Sequence, residues 1–187
     1  QNPFYQELVK VVHSELERAK LDTLIFDTDV PGGHSVERGR EYLRQIQNKR
    51  IDGLVIADYS VHGMHEDLKH LGTTAVFMGH LPNRAIDSVD FDEPGGCYAM
   101  GKYLAEQGHR RVAHITGPLF FEQAKVKLEA FERGFADHDG LPDAALRFEG
   151  SYLVPSGYEA VEWLLETHRG KLPSAIFFSN SLMACGG

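Results

Sequence analysis

Val112-Ala113-His114-Ile115 is a short apolar run, and a helical pattern over residues 123–138 separates it from a second run, Leu146-Arg147-Phe148. A further helical pattern over residues 156–168 leads to a third apolar run, Ala175-Ile176-Phe177-Phe178. Strands that alternate with helices in this way form β-α-β units, whose strands lie parallel in one sheet. Uninterrupted apolar strands are typical of a sheet that helices cover on both faces. The stretch therefore predicts the α/β class with a doubly wound parallel sheet.

The same alternation is found upstream of this stretch. Residues 3–20 carry apolar side chains at helical spacing, and Ser35 is in the position of an N-cap for a second helix that reaches about residue 49. Short apolar runs predict strands at residues 24–26, 51–57 and 75–78. We therefore expect a second doubly wound sheet in this half of the chain.

A polar, turn-rich segment divides the two halves at residues 89–96. We interpret it as a crossover near residues 90–94 between an N-terminal lobe, residues 1–91, and a C-terminal lobe, residues 92–187. Asp90 and Asp92 lie in this crossover at the end of a predicted extended segment, and general acids and bases of enzymes often lie at strand ends. Helix capping or a hinge role explains the two acids better, and we predict that they form a hinge.

Composition excludes several classes of protein. The 187 residues include 19 Lys and Arg but 27 Asp and Glu, and the net charge of −8 argues against a free-standing nucleic-acid-binding domain. A hydrophobic content of 42% is typical of a packed globular protein, and no apolar run is long enough for a membrane span. Cys97 and Cys185 are the two cysteines, too few for a disulfide framework or a four-thiolate metal site.

The two ends suggest a fragment. The first residues already read as the entry into a helix, and the last residues begin a helical pattern that stops at Gly187. We therefore expect the chain to be a fragment of a longer one.

The sequence carries no recognisable catalytic signature. Nucleophile-elbow, phosphate-loop and zinc-protease motifs do not occur in it. His62 and His65 could share a helix face as metal ligands, but they have no third partner nearby in sequence, and exposed histidines are common. We therefore expect no cofactor, no metal site and no enzymatic activity.

Aromatic and planar polar side chains follow the predicted strands or begin the helices. Phe4 and Tyr5 begin the first helix, Phe121 follows the strand at residues 112–115, Tyr152 follows the strand at 146–148, and Asn180 follows the strand at 175–178. Parallel strands bring such residues to one sheet edge, and rings with a few hydrogen-bonding groups suit a sugar or a nucleoside. The alternative is that each aromatic ring belongs to a hydrophobic core.

Several short motifs in a fixed order carry a family resemblance. They are Asn2-Pro3-Phe4-Tyr5, Arg50-Ile51-Asp52-Gly53-Leu54, Gly108-His109-Arg110-Arg111-Val112, Gly117-Pro118, Ser156-Gly157-Tyr158 and Ser179-Asn180-Ser181-Leu182-Met183-Ala184. The chain resembles the effector-binding core of the LacI/GalR family of transcriptional regulators, which is related to periplasmic sugar-binding proteins of the ribose type. The resemblance spans nearly the whole chain.

The resemblance implies two lobes of the type I periplasmic-binding-protein fold, joined by three crossovers, with a small effector in the cleft between the lobes. It also implies a cytoplasmic homodimer without membrane contact. Compared with the family's fold, both lobes are expected to be truncated, the N-terminal lobe lacking its first strand and the C-terminal lobe being incomplete. An N-terminal helix-turn-helix domain, which this chain does not contain, would read operator DNA.

The resemblance also implies site residues. Position by position, the expected ligand contacts are Asn2, Phe4, Tyr5, His80, Phe121, Gln123, Lys127, Tyr152 and Asn180. Gly79 and His80 stand where sugar binders often have an acid and an arginine, which disfavours a ribose-like ligand. Lys127 stands where the family often has an arginine, so the charge is kept but the bidentate fork is lost. Ser181 replaces the usual aspartate and would keep a hydroxyl as the helix cap.

Three functions compete at this point. The first is the ligand-sensing domain of a LacI-type regulator, in which a sugar-like effector shifts the balance between open and closed lobes and changes the spacing of the DNA-reading heads. The second is a periplasmic sugar-binding protein of an ABC transporter. The third is an enzyme on a flavodoxin-like sheet. The motifs at residues 108–111 and 156–158 favour the regulator.

Overall fold

Two compact units, Gln1–Phe91 and Asp92–Gly187, make up the chain. The structure is a computed structural model, and it describes residues 3–26, 36–47, 51–57, 67, 70, 72–79 and 86–187. Among these described residues, each unit contains one three-stranded sheet, and all the strand pairs in both sheets are parallel. The predicted α/β class with two parallel sheets is therefore confirmed.

The sheet of the first unit has the strand order β1-β2-β3, with Leu54 opposite Ala75 and Phe77 opposite Ser88. Its described elements are α1 (Pro3–Arg18), α2 (Val36–Gln47), β1 (Gly53–Ile56), β2 (Thr74–Met78) and β3 (Asp87–Val89). The predicted helix at residues 3–20 and the strands at 51–57 and 75–78 are thus present. Ser35, the expected N-cap of α2, lies outside the described residues.

The described residues of the first unit form a small core. Leu43 and Ile46 of α2 pack on Ala75 and Phe77 of β2 because their spacing places them on the same side of the helix. Helix α1 contains no buried residue. Among the described residues, the packing of this unit is therefore concentrated between α2 and the middle strand of the sheet.

The strand expected at residues 24–26 does not form. These residues are not paired in a sheet, and Leu24 and Ile25 are 67% and 66% exposed. Phe26 alone of the three packs against the core, and its ring lies 5.8 Å from that of Tyr42. An apolar run becomes a strand only where a neighbouring strand supplies the ladder hydrogen bonds, and among the described residues none pairs with this segment.

The sheet of the second unit has the strand order β5-β4-β6. Its elements are α3 (Glu93–Glu106), β4 (Val112–Thr116), α4 (Glu122–Ala136), β5 (Arg147–Glu149), α5 (Val154–Thr167), β6 (Ala175–Phe178) and α6 (Ser181–Gly186). The central strand β4 is buried along its whole length. Its continuous burial agrees with the uninterrupted apolar run that led to the predicted strand.

Helices cover both faces of this sheet. On one face, Cys97 of α3 and Phe131 of α4 belong to one core cluster with Val112. On the other face, Leu164 of α5 and Met183 of α6 belong to a second cluster with Ala113 and Ile115. Successive residues of β4 point to opposite faces, so one short strand serves both cores. The second unit is therefore doubly wound, as predicted.

Candidate functional site

The carboxyl ends of β4, β5 and β6 meet at one edge of the second sheet, which we call the ligand edge. Backbone hydrogen bonds join the segments that leave it: the Gly150 amide donates to the Thr116 carbonyl at 2.9 Å, and the Ser179 amide donates to the Ile115 carbonyl at 2.9 Å. Open α/β sheets bind ligands at this edge because the loops and helix N-termini there present polar groups. The ligand edge is defined here by residues 117–123, 150–153 and 179–180, together with Glu93 and Lys127.

Tyr152 and Asn180 are brought into direct contact at the ligand edge. The Asn180 side-chain amide donates to the Tyr152 carbonyl at 2.8 Å, and the Asn180 Oδ1 accepts from the Met183 amide at 2.9 Å. Tyr152 has a φ of 64°, in the left-handed region that non-glycine residues rarely adopt. Asn180 therefore both begins α6 and holds Tyr152 in a strained conformation.

The ring of Tyr152 lies directly over Gly117. A Cβ atom added to Gly117 would lie 1.9 Å from Tyr152 Cζ, so only glycine allows this approach. The ring also lies near a cation, because Lys127 Nζ is 5.6 Å from the ring centroid. The predicted aromatic wall at Tyr152 and the predicted cation at Lys127 are thus neighbours in the structure.

Lys127 is paired with Glu93. Its Nζ lies 2.7 Å from Glu93 Oε1, and the side chain of Lys127 is only 9% exposed against 32% for that of Glu93. Gln123, one helical turn before Lys127 on α4, donates its side-chain amide to Glu93 Oε2. Both oxygens of the Glu93 carboxylate are therefore occupied, one by an ammonium and one by an amide. The net charge of this three-residue cluster is zero.

The thiol of Cys97 lies within the field of the same pair. Burial raises the pKa of Cys97, the ammonium of Lys127 lowers it, and the carboxylate of Glu93 raises it again. The resulting pKa lies above the ordinary value for a thiol. Cys97 is therefore a neutral core side chain beneath the ligand edge.

The loop at residues 117–121 is anchored by a carboxylate. The Leu119 amide donates to Glu149 Oε1 at 2.9 Å. Beyond it, the rings of Phe120 and Phe121 lie 4.1 Å apart, with Phe120 75% exposed and Phe121 partly buried at the N-cap position of α4. An exposed aromatic pair on an anchored loop can stack on an apolar ligand face.

Two of the expected contacts in the first unit form an aromatic group. The ring centroids of Phe4 and Tyr5 are 5.3 Å apart, and those of Phe4 and Phe91 are 6.4 Å apart. Phe4 is 47% exposed and Phe91 is 63% exposed. The expected contacts Asn2 and His80 lie outside the described residues, as do the histidines His62 and His65.

The two crossover acids have different local roles. Asp92 is the N-cap of α3, and its Oδ1 accepts from the Gly95 amide at 2.9 Å. Asp90 Oδ1 accepts from the adjacent Phe91 amide at 2.8 Å. Capping is thus the observed role of Asp92, and the hinge stays a prediction.

In the second unit, Asn180 is the N-cap of α6, and its side chain accepts from the Met183 amide. The expectation that the hydroxyl of Ser181 caps this helix is therefore wrong.

Sequence reasoning missed Glu93 and Glu149. Gln123 and Lys127 were expected as ligand contacts because the family resemblance implies them, but the carboxylate that joins them lies 30 positions before Gln123. Glu149 likewise lies 30 positions after its partner Leu119. No local periodicity marks such pairs. The one sequence feature that could have drawn attention to Glu93 is its position as an acid in the first turn of the helix that follows the crossover.

The described part of the chain contains no group of three or more His, Cys, Asp or Glu side chains that could hold a metal ion. None of its helices combines the length and the apolar character that a membrane span requires.

The family model for "Periplasmic binding proteins and sugar binding domain of LacI family" matches residues 1–187. The chain belongs to this family. The LacI-family resemblance seen in the sequence is therefore confirmed, and so is the expectation of a non-enzymatic binding domain, since the family is one of binding proteins and binding domains.

Individual members of the family support the same assignment. The HTH-type transcriptional repressor PurR of Klebsiella pneumoniae is 31% identical over 159 residues, which cover 82% of this chain and 46% of the repressor. A sugar-binding LacI-family transcriptional regulator from Escherichia coli, solved in complex with phosphate, is 25% identical with a TM-score of 0.82, covering 99% of this chain and 67% of that one. A dimeric Lac repressor with a C-terminal deletion shares the fold at 20% identity, with a TM-score of 0.79 and coverage of 97% and 65%. The chain spans about half the length of the curated repressors it matches.

Proposed function

We propose that this chain is the ligand-sensing part of a LacI-type transcriptional regulator that binds a small, sugar-like effector. The single observation that carries the proposal is the ligand edge, where the Tyr152 ring, the Asn180 amide and the Glu93–Lys127–Gln123 cluster lie beside one another. A ring beside planar hydrogen-bonding groups suits a polar ligand with apolar C–H faces.

The remaining predicted contacts belong to the same proposal. Phe121 would set ligand identity from its loop, and Phe4 and Tyr5 would supply stacking surfaces in the first unit. Asn2 and His80 stay predictions from the resemblance. Asp90 and Asp92 would form a hinge that lets effector binding favour one arrangement of the chain over another.

A thermal-shift screen over sugars, sugar phosphates and purines tests the proposal. A ligand that binds only the folded state raises the melting temperature by mass action, whatever its regulatory role. We expect at least one compound to give a saturable shift that calorimetry reproduces with one site per chain. A complete screen without a saturable shift would contradict the proposal.

Replacement of Tyr152 by Ala should weaken binding of the compound so identified by at least about tenfold, because the stacking face is lost. Phe4→Ala should weaken it as well, while Tyr152→Phe, which keeps the ring, should retain most of the affinity. Tyr103→Ala is a matched control, since Tyr103 is a 54% exposed tyrosine on α3. Isothermal titration calorimetry gives the four affinities. Equal affinities for Tyr152→Ala and Tyr103→Ala would show that Tyr152 does not contact the ligand.

Dimer formation and DNA binding complete the proposal. The similarity to a Lac repressor described as dimeric supports a homodimer, and the similarity to repressors of the HTH type supports operator binding through a separate helix-turn-helix domain. Light scattering on the purified chain, where a dimer mass is expected, tests the first point. The sequence encoded upstream of residue 1 tests operator binding, because a helix-turn-helix domain is expected there. A secretory signal in that region would instead indicate a periplasmic sugar-binding protein of an ABC transporter.

A further inference from the structure

The charges at the ligand edge indicate which class of ligand can bind there. Lys127 is the cation of the cluster, and its ammonium is nearly buried and 2.7 Å from the Glu93 carboxylate. A buried cation without a counter-ion attracts anions strongly because little water screens it. Here the counter-ion is part of the chain, and the second oxygen of that carboxylate is held by Gln123.

An anionic ligand would have to compete with Glu93 for the same ammonium. A phosphate or carboxylate group that approached Lys127 would meet the negative charge of Glu93 at close range, and displacing Glu93 would leave a partly buried carboxylate without its partner. Glu149 adds another carboxylate to the same edge through its bond to Leu119, and the chain as a whole carries a net charge of −8. A neutral hydroxyl meets none of these penalties, since it can donate to the carboxylate and accept from the ammonium.

We propose that Glu93 acts as a built-in counter-ion that makes the ligand edge select uncharged, hydroxyl-bearing ligands and reject phosphorylated or carboxylated ones. The inference rests on the proposed binding function, because it names the ligand class that the same edge accepts. Glu93 thereby has a role in ligand specificity that no sequence motif marks.

The proposal can be tested by removing the negative charge of Glu93 and measuring the binding of inorganic phosphate. Glu93→Gln keeps the shape of the side chain and an oxygen that can accept from Lys127, but it removes the negative charge. We expect inorganic phosphate to bind Glu93→Gln at least about tenfold more tightly than the wild type, because the charge-assisted contacts of Lys127 become available. Calorimetric titration of phosphate into each protein at constant ionic strength gives the comparison.

Two further variants identify the source of any gain. The double variant Glu93→Gln with Lys127→Met should lose the gained phosphate binding. Glu122→Gln is the matched control, because Glu122 is an acid on the same helix as Lys127 but pairs with the exposed Lys125 at 3.4 Å. Unchanged weak phosphate binding is expected for that control. A folded Glu93→Gln protein without the gain, or an equal gain for Glu122→Gln, would overturn the proposal.

The wild type and Lys127→Met provide a second measurement that does not require Glu93→Gln to fold. We expect that neither protein binds phosphate saturably at about 10 mM, where even millimolar affinity would be evident. Saturable binding by the wild type that Lys127→Met abolishes would show that Lys127 is open to anions and would overturn the proposal. Failure of the proposed sensing function is a different result, namely the absence of any thermal shift in the ligand screen.

Discussion

Among single residues, His114 shows how strongly the core of the second unit opposes charge. Its ring lies 4.7 Å from that of Phe131 and 4.8 Å from that of Phe177, and its Nδ1 atom is buried with no hydrogen-bond partner among the described residues. Its Nε2 is 2.9 Å from the hydroxyl of Ser179, the residue before Asn180. Burial, and to a lesser extent the charge of Arg147, lowers the pKa of His114 to about 3.

The lowered pKa of His114 makes stability depend on pH. Below about pH 6.5 the unfolded chain binds a proton at this residue, whereas the folded chain does not until about pH 3. The contribution of His114 to the free energy of unfolding is therefore complete above about pH 6.5 and falls as the pH is lowered from there toward pH 3. The loss is up to about 1.4 kcal/mol per pH unit. Urea unfolding at pH 7, 5.5 and 4.5 should show a flatter profile for His114→Gln than for the wild type. His138→Gln controls for the loss of a histidine, and parallel profiles for all three proteins would contradict the prediction.

Asn180 combines two bonds that variants can separate. Asn180→Ala removes both the cap acceptor for the Met183 amide and the donor to the Tyr152 carbonyl, and should lower the free energy of unfolding by about 1–3 kcal/mol. Asn180→Ser keeps a capping oxygen, so its loss should be about 1 kcal/mol smaller. Chemical denaturation measures both. A cap role would be refuted if the serine and alanine variants were equally unstable.

Among the secondary structure elements, α3 and α4 approach each other closely enough to require glycine. A Cβ added to Gly101 would lie 2.2 Å from the Phe131 carbonyl oxygen, and one added to Gly134 would lie 2.1 Å from the Tyr98 carbonyl oxygen. This contact lies in the same helix pair that carries Glu93, Gln123 and Lys127. The close approach therefore helps to set the distance across which the carboxylate and the ammonium pair.

Gly101→Ala should destabilise the protein by about 1–3 kcal/mol, although alanine is the better helix former, because the added methyl group has no room. Gly96→Ala in the same helix is the control. A Cβ there meets nothing within 4 Å, so the substitution should stabilise the protein by about 0.5–1 kcal/mol. Thermal and urea unfolding give both values, and the same sign for the two variants would refute the packing argument.

In the molecule as a whole, the two units differ in how deeply their elements are buried. In the second unit, β4 is buried along its length and lies between two core clusters. Among the described residues of the first unit, the core is one cluster around Leu43, Ile46, Ala75 and Phe77, and α1 has no buried residue. Local opening should therefore require much less free energy in α1 than in β4.

Hydrogen exchange followed by mass spectrometry tests this difference in the full chain. Backbone amides of β4 should exchange at least about 100-fold more slowly than those of the middle of α1 at neutral pH, since opening β4 exposes two cores. Peptides from α2, which carries Leu43 and Ile46, should be intermediate. Equal protection of α1 and β4 would indicate that contacts other than those of the described residues stabilise α1.

Periodicity and turn chemistry were enough to predict the helices α1, α2, α4 and α5, the strands β1, β2, β4, β5 and β6, and the placing of Tyr152 and Asn180 at strand ends, because these features depend on neighbouring residues. The same local signal was wrong at residues 24–26, where a strand also needs a partner. The ion pair of Glu93 with Lys127, the Tyr152 ring over Gly117 and the buried state of His114 could not be predicted. They depend on which distant segments pack together, and that is set by the folding of the sheet and helices against one another.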